Sequence, residues 1–215
     1  MKGLEWCEKF LNHPKAMLEI LEASYQVGAR GVEVIPIGKV LDAAKIMVET
    51  HNDYVITGST YPGIDSKIDS LIGVGAKLIY VHGMISDERN SKLIELLDEI
   101  SNHGIIPGIA SHDPIVTISH AVEKNLNVKV FLIPFNAHGS YMENAKKLEE
   151  IVDKTKMYDF IAMKTLAAGR INPEKAFTYI SKHNISAVTI GMVTKFQAEE
   201  STKIALKFLS SRRSF

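Results

Sequence analysis

Short apolar runs recur along this chain about every 23 to 30 residues, with a helix-like stretch between each pair. Strands joined by crossovers of that length lie parallel, because a tight turn can return the chain only antiparallel. The runs are Val32 to Ile35, Tyr54 to Thr57, Leu78 to Val81, Ile105 to Ala110, Val128 to Ile133, Phe160 to Met163 and Ala187 to Ile190. Such a repeat predicts an α/β fold, a TIM-barrel-like β/α repeat in one domain spanning residues 1–215. An eight-stranded barrel opens on a strand, whereas this chain opens on a helix after Pro14. The first strand is therefore expected to be missing, leaving a seam that the N-terminal helix or a second copy of the chain would cover. Residues 1–13 carry Leu4, Cys7 and Leu11 at helical spacing, and closing the barrel with them would go against their propensity. A doubly wound open sheet is the alternative, but the even repeat and the lack of an early GxGxxG loop weigh against it.

The 215 residues are 46% hydrophobic, enough for one sizeable core. Lys and Arg number 25, as do Asp and Glu, so no global field favours nucleic acid or an anionic membrane. Cys7 is the single cysteine, which excludes an internal disulfide and a cysteine-rich metal site. No apolar run reaches the roughly 20 residues of a membrane span, and no signal-peptide core opens the chain. The expectation is a soluble cytoplasmic protein that meets a small-molecule ligand.

Capping chemistry places several boundaries. Asn172 followed by Pro173 marks a helix start, as does Asp113 followed by Pro114. Thr194 with Gln197 fits a capping box for the closing helix. Other helices are expected over Asp42 to Val48, Ile64 to Ile72, Ser91 to Asn102 and Met142 to Lys154, with Ser210 to Phe215 frayed.

In β/α folds the carboxyl ends of the strands carry the ligand site. This sequence places there Glu33, Gly58-Ser59-Thr60, His82, Ser111-His112-Asp113, Asn136 with His138, Lys164 and Thr194-Lys195. Lys164 ends an apolar strand, where desolvation favours a neutral amine for Schiff-base or base chemistry; the plain alternative is an ammonium in solvent or against an anion. Gly169 and Arg170 in one loop, and Gly191, Thr194 and Lys195 in the next, feed helix N-termini suited to a phosphate, or serve as ordinary turns. Glu33, inside an apolar strand, reads as a buried carboxylate with a catalytic role or a structural partner. His82, His112 and His138 could together hold a divalent metal, but no pair has the spacing of a metal motif, so no metal is the first choice.

The segments LIYVHG (78–83), GIIPGIASHDP (104–114), FLIPFNA (131–137), IAMKTLAAGRINPEKAF (161–177) and VTIGMVTKFQAEE (188–200) resemble the fourth to eighth strands and loops of the aldo-keto reductases. That likeness covers about Gly73 to Glu200. It implies a TIM barrel, NADP as cofactor and oxidoreductase chemistry. On this likeness His82 matches the histidine that hydrogen-bonds the substrate carbonyl. Ser111 and Asn136 fall near the positions that hold the nicotinamide end, and Thr194 and Lys195 near the loop that holds the cofactor phosphate. The family's catalytic Asp, Tyr and Lys have no match: PIGKVLDAA contains no Tyr, only Glu33 and Pro36 lie near the Asp position, and ITGST has no Lys. Leu132 replaces the usual Gln. A divergent oxidoreductase, a lyase using Lys164, a metal enzyme and a non-catalytic ligand-binding homo-oligomer are the functions this pattern leaves open.

Overall fold

The structure, a computed structural model, describes residues 8–210. The expected helical positions Leu4 and Cys7, and most of the frayed tail, lie outside the described residues.

Seven parallel strands form one sheet in sequence order: β1 (Gly31–Val34), β2 (Val55–Ser59), β3 (Leu78–Val81), β4 (Ile106–Ala110), β5 (Val130–Pro134), β6 (Asp159–Met163) and β7 (Ala187–Val188). Each pairs only with its sequence neighbours, and among the described residues no pairing joins β1 to β7. The sheet is thus a curled barrel wall lacking one strand, as the repeat count implies. The helices are α1 (Pro14–Gln26), α2 (Val40–Thr50), α3 (Ile68–Gly73), α4 (Gly83–Ser86), α5 (Ser91–Asn102), α6 (Pro114–Glu123), α7 (Ala145–Lys154), α8 (Pro173–Ile180) and α9 (Lys195–Leu209). Among the described residues no helix is long and apolar enough to cross a membrane.

The two faces of the sheet follow from the period of two along a strand. Ile56, Ile79, Val81, Ile109, Phe131, Ile133, Phe160 and Ala162 point outward into the main core. There they meet helix residues such as Leu93, Leu96, Leu97 and Ile100 of α5. Burying a side chain of that size stabilises the fold by about 1.5–3 kcal/mol. The alternate residues Leu78, Tyr80, Ala110, Val130 and Leu132, with Ile161 and Met163, form a separate cluster inside the barrel. Glu33, Thr57 and Ser59 share that inward parity.

The ring of helices closes where the ring of strands does not. Helix α1 packs on both α2 and α9, the place of a helix following an absent first strand. It stops at Gly28, whose φ of 114° suits glycine and whose hydrogen leaves room for Leu206 of α9.

Several boundaries depart from expectation. Strand β2 starts at Val55 and runs through Gly58 and Ser59, because Thr60 N–H still donates to Tyr80 O at 2.8 Å. Helix α3 starts at Ile68 instead of Ile64, which is fully exposed in the preceding loop. Helix α7 begins at Ala145, capped by Asn144, while Met142 is buried in the loop before it. Strand β7 covers only Ala187 and Val188. Asp113 precedes α6 but makes no side-chain cap, since its carboxylate pairs with Arg89 at 3.0 Å.

Gly108 of β4 is required by the barrel interior. A Cβ there would lie 2.6 Å from Cδ1 of Tyr80. Gly108→Ala is expected to cost about 1–3 kcal/mol through overpacking. Urea denaturation measures it; an unchanged midpoint would mean that the ring moves aside freely.

Candidate active site at the barrel mouth

Three clusters of polar side chains lie at or just below the carboxyl ends of the strands. The first is inside the wall formed by β1, β2 and β3. Ser59 Oγ donates to Glu33 Oε1 at 2.7 Å. Glu33 as a residue keeps partial solvent contact at the sheet edge, but its carboxyl is enclosed by protein, and that burial raises its pKa against the opposing pull of Ser59. Tyr80 is fully buried beside this pair, and its hydroxyl has no hydrogen-bond partner among the described residues. Burial, reinforced by Glu33, raises the Tyr80 pKa.

The second cluster is centred on His82, which follows β3. Its backbone N–H donates to Thr60 Oγ1 at 3.0 Å, and its Nδ1 accepts from Met84 N–H at 3.2 Å. That bond leaves the proton of the neutral ring on Nε2, so the free edge is a donor. Burial, with a smaller contribution from nearby His112, holds the His82 pKa below its ordinary value. The two rings meet edge to face with centroids 6.0 Å apart. Behind them, Asp87 accepts from Ser111 Oγ at 2.5 Å, from Thr117 Oγ1 at 3.0 Å and from His112 N–H at 2.8 Å. Asp87 follows the short helix α4 and ties β3 to β4 and α6. Gly83 allows this closeness, because a Cβ there would lie 2.5 Å from His112 Nδ1.

Lys164, just past β6, forms the third. Its φ of 54° is left-handed, a conformation that costs a non-glycine residue about 1–2 kcal/mol. Its carbonyl accepts from Ala167 N–H at 2.9 Å, which helps to hold the turn. The ammonium lies 4.3 Å from the centroid of the Tyr141 ring, and burial lowers its pKa. Strain of this kind collects where function requires a fixed geometry.

The remaining expected residues are spent locally. The Asn136 side chain accepts from His138 N–H and Ser140 N–H and donates to Ser140 O, building its own loop. His138 is exposed, with Nδ1 3.1 Å from Ser140 Oγ, and does not join His82 and His112. Among the described residues, no group of three or more His, Cys, Asp or Glu side chains is arranged to hold a metal ion. Thr194 Oγ1 accepts from Gln197 N–H at 3.2 Å, the first half of the expected capping box, but Gln197 Oε1 accepts from Val193 N–H at 3.1 Å, one residue before the cap. Lys195 extends 3.4 Å from Glu19 of α1. Arg170 is exposed and makes no ion pair among the described residues. Gly169 has a φ of 81° and Gly191 faces open space.

Sequence reading did not single out Asp87 or Tyr80. Asp87 sits in a turn-rich stretch, HGMISDERN, where nothing distinguishes it from a surface acid. Tyr80 could have been found as the one polar side chain at an inward position of an otherwise aliphatic strand.

These features define a β/α barrel, one strand short among the described residues, with a polar mouth. No protein-family profile matches the chain. Among solved structures, an aldo-keto reductase from Bacillus halodurans in its holo form superimposes with a TM-score of 0.66 at 13% identity, over 92% of this chain and 83% of that one. A variant of Gox0644 in complex with NADPH matches with a TM-score of 0.66 at 12% identity, over 90% and 81%. The 2-keto-3-deoxy-6-phosphogluconate aldolase of Zymomonas mobilis, with 3-phosphoglycerate, matches with a TM-score of 0.61 at 16% identity, over 92% and 88%. At such identities the shared property is the fold.

The His82 imidazole is expected to titrate below the ordinary histidine value of 6.5, and His112→Ala to move its midpoint up by removing a neighbour that contributes to the lowering. Proton-carbon NMR of the imidazoles tests both; an unmoved midpoint would remove His112 from the site.

Proposed function

We propose that this protein is an enzyme acting on small carbonyl compounds, with Lys164 as its nucleophile and His82 as the acid that assists it. The observation that carries the reading is the state of Lys164: a partly desolvated amine on a strained backbone at the carboxyl end of β6. A lowered pKa increases the fraction of free amine at neutral pH, which is what attack on a carbonyl carbon needs. The nitrogen forms a bond to carbon, the carbonyl π pair moves to oxygen, and the two amine protons pass to that oxygen, one of them relayed by His82, whose Nε2–H is restored from the nitrogen. Loss of water then leaves an imine, which draws electrons from an adjacent carbon–carbon or carbon–hydrogen bond. Lyase or isomerase chemistry follows from that step. The aldolase of Zymomonas mobilis among the fold neighbours supports this placement only at the level of a scaffold that hosts carbonyl chemistry.

A second reading, a nicotinamide-linked reductase, is favoured by the NADPH complex of Gox0644. His82 would polarise the carbonyl, and Arg170 with Lys195 would take the cofactor phosphate. Against it, the Ser111 hydroxyl is engaged by Asp87 and the Asn136 amide by its own loop, so the nicotinamide end finds few free groups. The Lys195 pair with Glu19 is a surface contact worth about 0–1 kcal/mol and would exchange readily for a phosphate. The residues thus fit a phosphate better than a nicotinamide ring.

Incubation with pyruvate and borohydride, followed by peptide mass spectrometry, is expected to leave a reduced adduct on Lys164 that Lys164→Met abolishes. No adduct with pyruvate or a panel of small aldehydes and ketones would sink the imine reading. Calorimetric titration with NADPH tests the other one: micromolar binding lost in Arg170→Ala, Lys195→Ala would place the cofactor phosphate there. Heatless titration at millimolar cofactor would remove it.

A further inference from the structure

We propose that the inner face of β1, β2 and β3 is a binding site for the carboxylate of a small-molecule substrate, with the Tyr80 hydroxyl and the Glu33 carboxyl as its two donors. The substrate class then becomes a carbonyl compound that carries a carboxylate, a refinement that rests on the Lys164 reading, whereas the oxygen site itself does not.

The strand register assembles the site. Ser59 lies beside Tyr80 in the β2–β3 ladder and reaches across to Glu33 in β1. Thr57 lies beside Glu33 on one side and Leu78 on the other. The Thr57 hydroxyl is a polar neighbour of the Tyr80 oxygen and tempers the rise in its pKa, while its own hydrogen is directed to Val32 O at 3.5 Å. No group among the described residues meets hydrogen-bond geometry with the buried Tyr80 hydroxyl. Native interiors leave few such groups, because an unpaired buried donor forfeits its bond to water. A ring serving only to fill the barrel would do so better as phenylalanine. The tyrosine oxygen implies a partner that arrives from outside.

Glu33 supplies the second donor. Ser59 already occupies Oε1, so the proton of the neutral acid is available from Oε2. Burial favours that neutral form, and no charged neighbour acts on Glu33: Ser59 and Thr57 face it from β2, and Tyr80 is the titratable group facing it from β3. The walls nearby are Leu78, Ala110, Val130 and Leu132, an apolar lining in which a hydrogen bond to a charged oxygen is strengthened. Two neutral O–H donors in such a lining bind an anionic oxygen without requiring a cation. Glu33 retains partial contact with solvent at the unpaired edge of the sheet.

The test uses L-lactate, which has a carboxylate and no carbonyl and so cannot form an imine with Lys164. Calorimetry on the full chain is expected to detect lactate binding in mildly acidic buffer, and Tyr80→Phe to weaken it about tenfold, the loss of one hydrogen bond to a charged group. Wild-type affinity should fall as the pH is raised and Glu33 ionises, whereas Glu33→Gln, which keeps a neutral donor, should bind equally across the same range. If Glu33→Gln does not fold, Tyr80→Phe decides, since it retains the ring against Gly108. No lactate binding to the wild type, or equal binding to Tyr80→Phe, would overturn the proposal and leave an interior water as the partner of Tyr80. Lactate binding without a borohydride adduct would keep the oxygen site and remove the Lys164 reading; an adduct without lactate binding would do the reverse.

Discussion

The packing of α1 against α9 is the contact on which this architecture depends. A parallel sheet is stable only when both faces are covered, and a closed barrel achieves this by abolishing its edges. Here two edges remain, β1 and β7. The helix layer bridges the gap they leave, with Gly28 giving Leu206 the space to approach. The edges are also poor templates for further pairing. Strand β7 is two residues long, and β1 turns an acid inward at Glu33. Short edge strands are a known device against edge-to-edge association.

That same acid connects stability to chemistry. A carboxyl whose pKa is raised on folding is most favourable to the fold below the ordinary glutamate range. It loses that contribution as pH rises through its folded value. At neutral pH the barrel therefore carries a group that folding would prefer to keep protonated. Ser59 moderates this cost by hydrogen bonding, but does not supply a charge to cancel it. A hydrophobic residue at the same inward position would avoid the cost altogether, so the acid is better understood as part of the site than as part of the core.

Fold and site were unequally legible in the sequence. The repeat of apolar strand and amphipathic helix is a long-range pattern enforced by burial on two faces, and it survived in every unit. Strand β3 and helix α5 fall where their apolar spacing puts them, and Asn90 caps α5 by accepting from Lys92 N–H. Where tertiary contact overrode local preference, the boundaries moved. Met142 reads as the first residue of a helix, yet it is buried in a loop where its sulfur accepts from Asn136 N–H at 3.2 Å. Asp113 reads as a cap, yet it answers Arg89, 24 residues earlier. At the mouth, which strands contribute was readable from topology alone. Which side chains meet was not, because Asp87 and Tyr80 acquire their roles only when β3, β4 and α6 come together.

The polar residues at the mouth come from separate strands, and none touches the chemistry of another in a way that requires one reaction. Glu33 and Tyr80 belong to the wall of β1 to β3, His82 to the end of β3 and Lys164 to the end of β6. This separation is what a barrel offers: each strand end delivers one group to a shared opening, and the reaction is decided by which groups are retained. The missing tyrosine and lysine of the reductase pattern remove the usual proton donor to a carbonyl oxygen. A carboxyl whose pKa burial raises, a histidine whose Nδ1 accepts from the backbone and an amine whose pKa burial lowers remain. These groups are the ones on which the proposed attack of the Lys164 nitrogen on a carbonyl carbon would draw.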